Sequence, residues 1–197
     1  MPKNKLIYGI GVNDSDYPIT QYAKVNGKQK FIWKCPFYTI WANMLKRCYL
    51  ESYLTKYPTY RDCTVCDEWL VFSTFKDWME KQSWQGRQLD KDLLSQGSKI
   101  YSPDTCVFVD VGINNFIVDN AKARGKYLLG VSWFKPRSKF KATCSNPFTG
   151  KNEHLGYFNN ELDAHNAWRL RKHEHAYKLA DLCDNPQLAE ALRTRYR

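Results

Sequence analysis

The chain has 197 residues, of which 43% are hydrophobic and 25% charged, with seven Trp, thirteen Tyr and ten Phe. This composition excludes a disordered chain, and the length suits one full domain or two small ones with a real core. No apolar run reaches the roughly 18 residues that span a bilayer, and the start lacks a secretory h-region, so we expect a soluble, cytoplasmic protein with no membrane partner.

The formal charge of +10 is unevenly distributed along the chain. Residues 1–120 carry 15 Lys and Arg against 13 Asp and Glu, whereas residues 121–197 carry 15 against 7. A concentrated positive charge attracts polyanions. The sequence therefore predicts a polyanionic partner that binds mainly the C-terminal part.

The first half of the chain reads as a β-rich start followed by helices. Leu6 to Val12 is a candidate strand, and Asn26-Gly27 is a hairpin turn signal between two short apolar runs. From Pro36 to Tyr49 apolar residues recur at spacings of three and four, which predicts a helix. Residues 50–62 lack periodicity and are predicted to form a loop.

A second helix is predicted from Thr74 to Lys81, with Ser73 as its N-cap. The segment before it, Cys63 to Val71, suits a short strand or turn. The C-x-x-C spacing of Cys63 and Cys66 is half of a zinc site, but no second such pair or His pair lies nearby. The pattern favours reduced core thiols over structural Zn²⁺.

The stretch 89–115 reads as two strands feeding a helix, with polar ligands at the ends. Asp90 closes the first strand, residues 106–109 are an apolar strand, and Asn114 lies where the helix opens. Carboxylate and amide oxygens are ligands of hard cations such as Mg²⁺. An Asp and an Asn on adjoining elements could hold such a cation against a phosphodiester.

This stretch resembles the ββα-metal core of HNH endonucleases, in the version found in phage-encoded homing endonucleases. The resemblance extends upstream through Val65-Cys66, Trp69 and Phe72. It implies a Mg²⁺- or Mn²⁺-dependent DNA endonuclease. Matched by position, Asp90 is the first metal ligand, Asn114 the second with Asn115 as its alternative, and Lys91 occupies the place of the general base.

Lys91 departs from the family pattern, in which this base is His. A lysine with a pKa near 10.4 stays protonated at neutral pH unless it is buried or crowded by cations, and Asp92 next to it favours the charged form. Two alternatives follow. Lys91 contacts phosphate or stabilises the transition state, or the core has lost catalysis and kept its shape.

The C-terminal part has a clear strand and helix pattern. After a polar, basic linker at 119–126, three short strands and one long helix are predicted within 127–180, and a short basic helix capped by Asn185 within 181–197. The preceding residues 1–118 form the HNH-like region with its helical lead-in. The predicted fold class is α+β, with a small three-stranded antiparallel sheet packed on one helix.

The module 127–180 resembles the DNA-binding domain of plant ethylene-response-factor (APETALA-type) proteins, which lay a three-stranded sheet in the major groove. The matching residues are Gly130-Val131 with Trp133, Phe140-Lys141-Ala142, His154 to Phe158, and Ala164 with Ala167. The resemblance implies double-stranded DNA as the partner.

Strand alternation supports the same surface independently of the resemblance. Lys139 and Lys141 project to one face while Phe140 points to the core, and Trp133 is expected to be a core or half-buried ring. The alternative is a solvated lysine face that protects a sheet edge. The predicted DNA-binding residues are Lys135, Arg137, Lys139, Lys141, Thr143, Lys151 and His154.

Three functions remain open from the sequence. The first is an HNH-like endonuclease that cuts or nicks duplex DNA with a divalent metal. The second is a catalytically inactive DNA-binding protein, or an inhibitor of a host DNA process, on a decayed scaffold. The third is a protein inhibitor whose basic surface binds an acidic protein partner, which predicts binding that ignores competitor DNA.

Overall fold

The computed structural model describes residues 6–95, 97–118 and 125–197. The chain divides into two compact units, Met1–Phe108 and Val109–Arg197. Most of the predicted linker 119–126 lies outside the described residues. None of the described helices is long and apolar enough to cross a membrane.

Both units mix helices and strands, which confirms the α+β class. The helices are α1 (Pro36–Tyr49), α2 (Glu51–Lys56), α3 (Phe72–Glu80), α4 (Val111–Ile117), α5 (Glu161–Asp181) and α6 (Pro186–Thr194). The strands are β1 (Thr20–Val25), β2 (Lys28–Lys34), β3 (Thr64–Val65), β4 (Arg87–Asp90), β5 (Ile100–Tyr101), β6 (Val107–Asp110), β7 (Val131–Phe134), β8 (Lys139–Ser145) and β9 (Asn152–Phe158).

An aromatic cluster between α1 and α3 forms the core of the first unit. Trp41, Trp69 and Phe75 are fully buried, and the Trp69 and Phe75 rings meet edge to face at 5.0 Å. The indole N–H of Trp41 donates to the Trp69 carbonyl oxygen at 2.7 Å. This bond satisfies a buried donor that would otherwise cost about 1–3 kcal/mol. The predicted apolar face of α1 is confirmed.

The predicted hairpin is confirmed as β1 and β2, paired antiparallel. Its turn residues Asn26 and Gly27 have φ of +53° and +75°. Both positive values match the type I′ turn that the Asn-Gly signal favours. Two further two-stranded sheets pair β3 with β5, in parallel, and β4 with β6.

In the second unit the antiparallel sheet β7-β8-β9 packs on α5, as predicted. Ala142 and Cys144 are buried on the face of β8 that packs on the helix. Ala176 of α5 is also buried. α6 begins at Pro186, and the Asn185 side chain accepts hydrogen bonds from two N–H groups of its first turn. The predicted cap is confirmed.

Three local predictions are wrong. Residues 6–12 are a tight turn in which Ile7 bridges Gly11, because the chain reverses at Tyr8 and Gly9 with φ of +50° and +82°. Most of residues 50–62 fold into α2 and a short 3₁₀ turn.

The third wrong prediction is the Ser73 cap, because Ser73 lies inside the first turn of α3. Its N–H donates at 2.9 Å to Asp14, and its hydroxyl donates to the same carboxylate. The anion that satisfies this helix start therefore comes from a distant part of the chain.

Candidate nucleic-acid interface

The register of β7-β8-β9 determines which side chains share the outer face of the sheet. Lys141 stands opposite Ser132 on β7 and Tyr157 on β9, and Lys139 stands opposite Phe134. Directly paired residues project to the same side, and alternate residues of a strand do so too. The outer face therefore carries both lysines, as the alternation predicted.

A β-bulge in β9 determines the side of the sheet to which His154 projects. The register passes from Ala142 opposite Gly156 to Thr143 opposite His154, so Leu155 is the extra residue. Without the bulge, His154 would project toward α5. With it, Thr143 and His154 lie on the same side as Lys141.

Aromatic rings form the floor of the outer face. The Tyr157 ring lies 5.0 Å from Phe134 and 4.6 Å from the His154 ring, measured between centroids. The Arg137 guanidinium lies 4.6 Å above the Tyr157 ring. This cation–π contact positions a planar cation with its N–H groups available at the surface. Phe134 and Tyr157 belong to this face, although neither was among the DNA-binding residues predicted from the sequence.

The outer face carries no carboxylate. The three strands contain one acidic residue, Glu153, and it is directed to the helix. It accepts from Asn146 at 2.8 Å, lies 3.1 Å from His175 Nε2, and pairs with Arg171 Nε at 3.4 Å. The Asn146 hydrogen bond, aided by His175 and Arg171, lowers the pKa of Glu153. The sheet is therefore cationic outside and charge-balanced inside.

The remaining predicted residues lie at the ends of this sheet. Lys135 is exposed on the 3₁₀ turn that joins β7 to β8, and Lys151 is exposed just before β9. Both lie at the rim, as predicted. Trp133 stands opposite Phe140 on the inner side and is 40% exposed, so it is more exposed than the core or half-buried ring that the sequence predicted.

Asp90 and Asn114, the two predicted metal ligands, lie in different compact units. The Asp90 Oδ1 accepts from the backbone N–H groups of Asp92 at 3.0 Å and Leu93 at 2.8 Å, and so caps the turn after β4. Asn114 is half-buried in α4, and Asn115 next to it is exposed. The Oδ1 atom of Asp90 thus stabilises the turn after β4.

Lys91 is buried, with 6% of its surface exposed, and its ammonium is already engaged. Nζ donates at 2.5 Å to Asp92 Oδ1 and at 2.9 Å to the Ser98 carbonyl, and lies 5.8 Å from the Tyr101 ring centroid. Burial lowers the pKa of Lys91, but the Asp92 hydrogen bond and charge outweigh it and leave the pKa above its usual value. The Asp92 contact favours the charged form of Lys91, and a protonated amine cannot take a proton from water.

Among the described residues, no three His, Cys, Asp or Glu side chains come together as a metal site. Mg²⁺ usually takes only one or two carboxylates and completes its shell with water and phosphate oxygens. A cation at Asp90 would thus depend on those oxygens. The cysteines are free thiols, and burial raises the pKa of Cys48 and Cys106 to about 12 and that of Cys66 to about 11.

The chain was compared with family models, curated proteins and solved structures, and none of the three gave a significant match.

Proposed function

We propose that the chain is a duplex DNA-binding protein that places the outer face of β7-β8-β9 in the major groove. The observation that carries this proposal is the register, which puts Lys139 and Lys141 on one carboxylate-free face. Arg137 is held beside them over the Tyr157 ring. A reducing cytoplasm, where free thiols persist and DNA is accessible, suits this function.

The cations on this face make two different kinds of contact with DNA. Lysines meet the phosphate backbone as point charges, whereas a guanidinium can donate two hydrogen bonds to guanine O6 and N7. Thr143 and His154, which pair across β8 and β9, add hydrogen-bonding groups at the end of the face away from Arg137. In this arrangement Lys139 and Lys141 supply affinity, and Arg137 supplies sequence preference.

The test is fluorescence anisotropy with a labelled duplex over a range of salt concentrations. The triple variant Arg137→Ala, Lys139→Ala, Lys141→Ala removes the proposed contacts. A control with Lys81→Ala, Arg169→Ala and Lys178→Ala removes the same charge from exposed positions elsewhere.

Each phosphate contact contributes about 0.9 to the slope of log K against log salt, so the sheet variant, which loses the two lysines assigned to phosphates, should lose a slope of about 2. Equal slopes in the two variants would refute the proposal. Absence of binding to the labelled duplex, together with binding of labelled polyglutamate that excess duplex DNA does not displace, would favour the acidic-protein partner instead.

Metal-dependent DNA cleavage is the second candidate function. One observation favours it: β4 pairs with β6 and α4 follows directly, with Asp90 at the end of β4, which is the element order of the HNH-like core. The engaged, protonated Lys91 favours DNA binding without cleavage. Catalysis would therefore need a base other than Lys91.

Plasmid nicking with Mg²⁺ or Mn²⁺ separates these two functions. Asp90→Asn keeps an oxygen for the turn N–H groups and removes the charge that a metal needs, so a loss of nicking would point to the metal. Asp104→Ala, an exposed carboxylate in a neighbouring turn, is the control. Salt-sensitive binding with no nicking in the wild type would support DNA binding and refute metal-dependent cleavage.

A further inference from the structure

The β1–β2 hairpin is a ribbon whose two faces are both left uncovered. Every residue of β2 is exposed, and in β1 only Thr20 and Ala23 are half-buried. Tyr22 and Phe31 are each 59% exposed. An isolated two-stranded hairpin is marginally stable in water, and soluble proteins rarely expose such contiguous apolar surface without a use.

The ribbon is also strongly cationic. Between Thr20 and Lys34 the sequence holds four lysines and no acidic residue. The register places Lys24 on the face of the Tyr22–Phe31 pair, and Lys28 and Lys30 on the opposite face with Trp33. Both faces therefore combine aromatic rings with positive charge.

The presence of rings and lysines on both faces distinguishes a DNA partner from a membrane surface. An element that lies on a membrane needs one apolar face and one charged face, whereas here each face carries both kinds of residue. A ribbon inside a DNA groove is flanked by a phosphate backbone on each side, so it needs cations on both faces. The major groove, about 12 Å wide, admits a two-stranded ribbon.

We infer that the β1–β2 ribbon is a second DNA-contacting element, which enters a groove of the duplex. Lys24 contacts phosphates on one side and Lys28 and Lys30 contact phosphates on the other, and Phe31 with Tyr22 makes apolar contact with the sugars on the Lys24 side. The inference rests on the proposed function for duplex DNA as the polyanion. It adds a site in the first unit that the sheet residues do not include.

The ring pair is suited to this role. Tyr22 and Phe31 meet edge to face with centroids 6.1 Å apart, directly across the strands. Such a cross-strand pair stabilises the ribbon and orders both rings before binding. An ordered pair of rings loses less conformational entropy when it contacts the sugars of the duplex.

The test uses the full chain and the labelled duplex described above. The ribbon variant Lys24→Ala, Lys28→Ala, Lys30→Ala should reduce the salt slope by about 2 to 3, and the affinity at 0.15 M salt on the order of 100-fold. Phe31→Ala should weaken binding about 5-fold or more with an unchanged slope, because it removes an apolar contact. The control variant with Lys81, Arg169 and Lys178 replaced by Ala should keep the wild-type slope.

The ribbon and sheet variants together distinguish failure of this inference from failure of the proposed function. If the sheet variant loses binding and the ribbon variant matches the control, the ribbon inference is refuted alone. If the ribbon variant loses binding and the sheet variant does not, the sheet proposal is refuted and the ribbon stands.

Two further outcomes overturn the inference. One is wild-type binding to vesicles rich in phosphatidylserine that exceeds binding to DNA and is lost in the ribbon variant. The other is a wild-type protein that binds no DNA, which refutes both proposals.

Discussion

Lys172 offers a direct test of the energetics of the second unit. It is 9% exposed on α5, and its ammonium donates at 2.6 Å to the Phe116 carbonyl of α4 and lies 3.6 Å from the centroid of the Phe116 ring. Burial lowers the pKa of Lys172 from 10.5 to about 8.

The direction of the pH effect follows from which state holds the proton more tightly. Below pH 8 both the folded and the unfolded chain carry the proton, and the full cost of burying the charge is present. As the pH rises from 8 to 10.5 the folded chain releases the proton first, so stability increases. At about 1.4 kcal/mol per pH unit, the contribution of Lys172 to the free energy of unfolding should rise by about 2 to 3 kcal/mol between pH 7 and pH 10.

The assay compares urea unfolding curves of the wild type and Lys172→Met at several pH values, followed by circular dichroism. Met keeps the approximate length of the side chain but cannot titrate, so the difference in stability between the two proteins should change by about 2 to 3 kcal/mol over this range. Lys178→Met, exposed on the same helix, should show no such change. A constant difference for Lys172→Met would refute the reasoning and show that the Phe116 carbonyl and ring keep the buried amine charged.

Three other substitutions have defined outcomes. Gly130→Ala should destabilise the second unit by about 3 kcal/mol, measured by thermal unfolding, because φ is +75° and the new Cβ would overlap the Trp168 ring. Trp41→Phe should cost about 2 to 3 kcal/mol in urea unfolding, because the Trp69 carbonyl loses its buried donor. Lys91→Met should lower stability by about 1 kcal/mol, because the Ser98 carbonyl loses its donor while Asp92 stays exposed to water, and it should leave DNA affinity unchanged. A large loss of affinity in a folded variant would contradict this structural role.

Much of the fold follows from local signals in the sequence. The spacing of apolar residues located α1, and Asn26-Gly27 located the first hairpin. Alternation in β8 located the cationic face of the second unit. In each case residues close in the sequence determine the structure, through the helical period, the turn type or the pleat.

The errors and omissions depend on contacts between distant residues. Asp14 satisfies the start of α3 from 59 residues away, so the neighbouring Ser73 was mistaken for the cap. The place of Tyr157 beneath Arg137 depends on the register and bulge of β9, which the sequence of one strand does not encode. The exposure of both faces of the ribbon is also a tertiary property, because the apolar run from Phe31 to Trp33 does not itself show whether another element covers it.

The buried cysteines can serve as natural probes of local unfolding in each unit. Only the thiolate is alkylated at an appreciable rate, and burial raises the pKa of Cys48 and Cys106 in the first unit and of Cys144 in the second. Each thiol is shielded from a reagent until its surroundings unfold. Mass-spectrometric counting of alkylated sites over time would therefore measure how often each unit opens, separately and without an introduced label, with DNA present or absent.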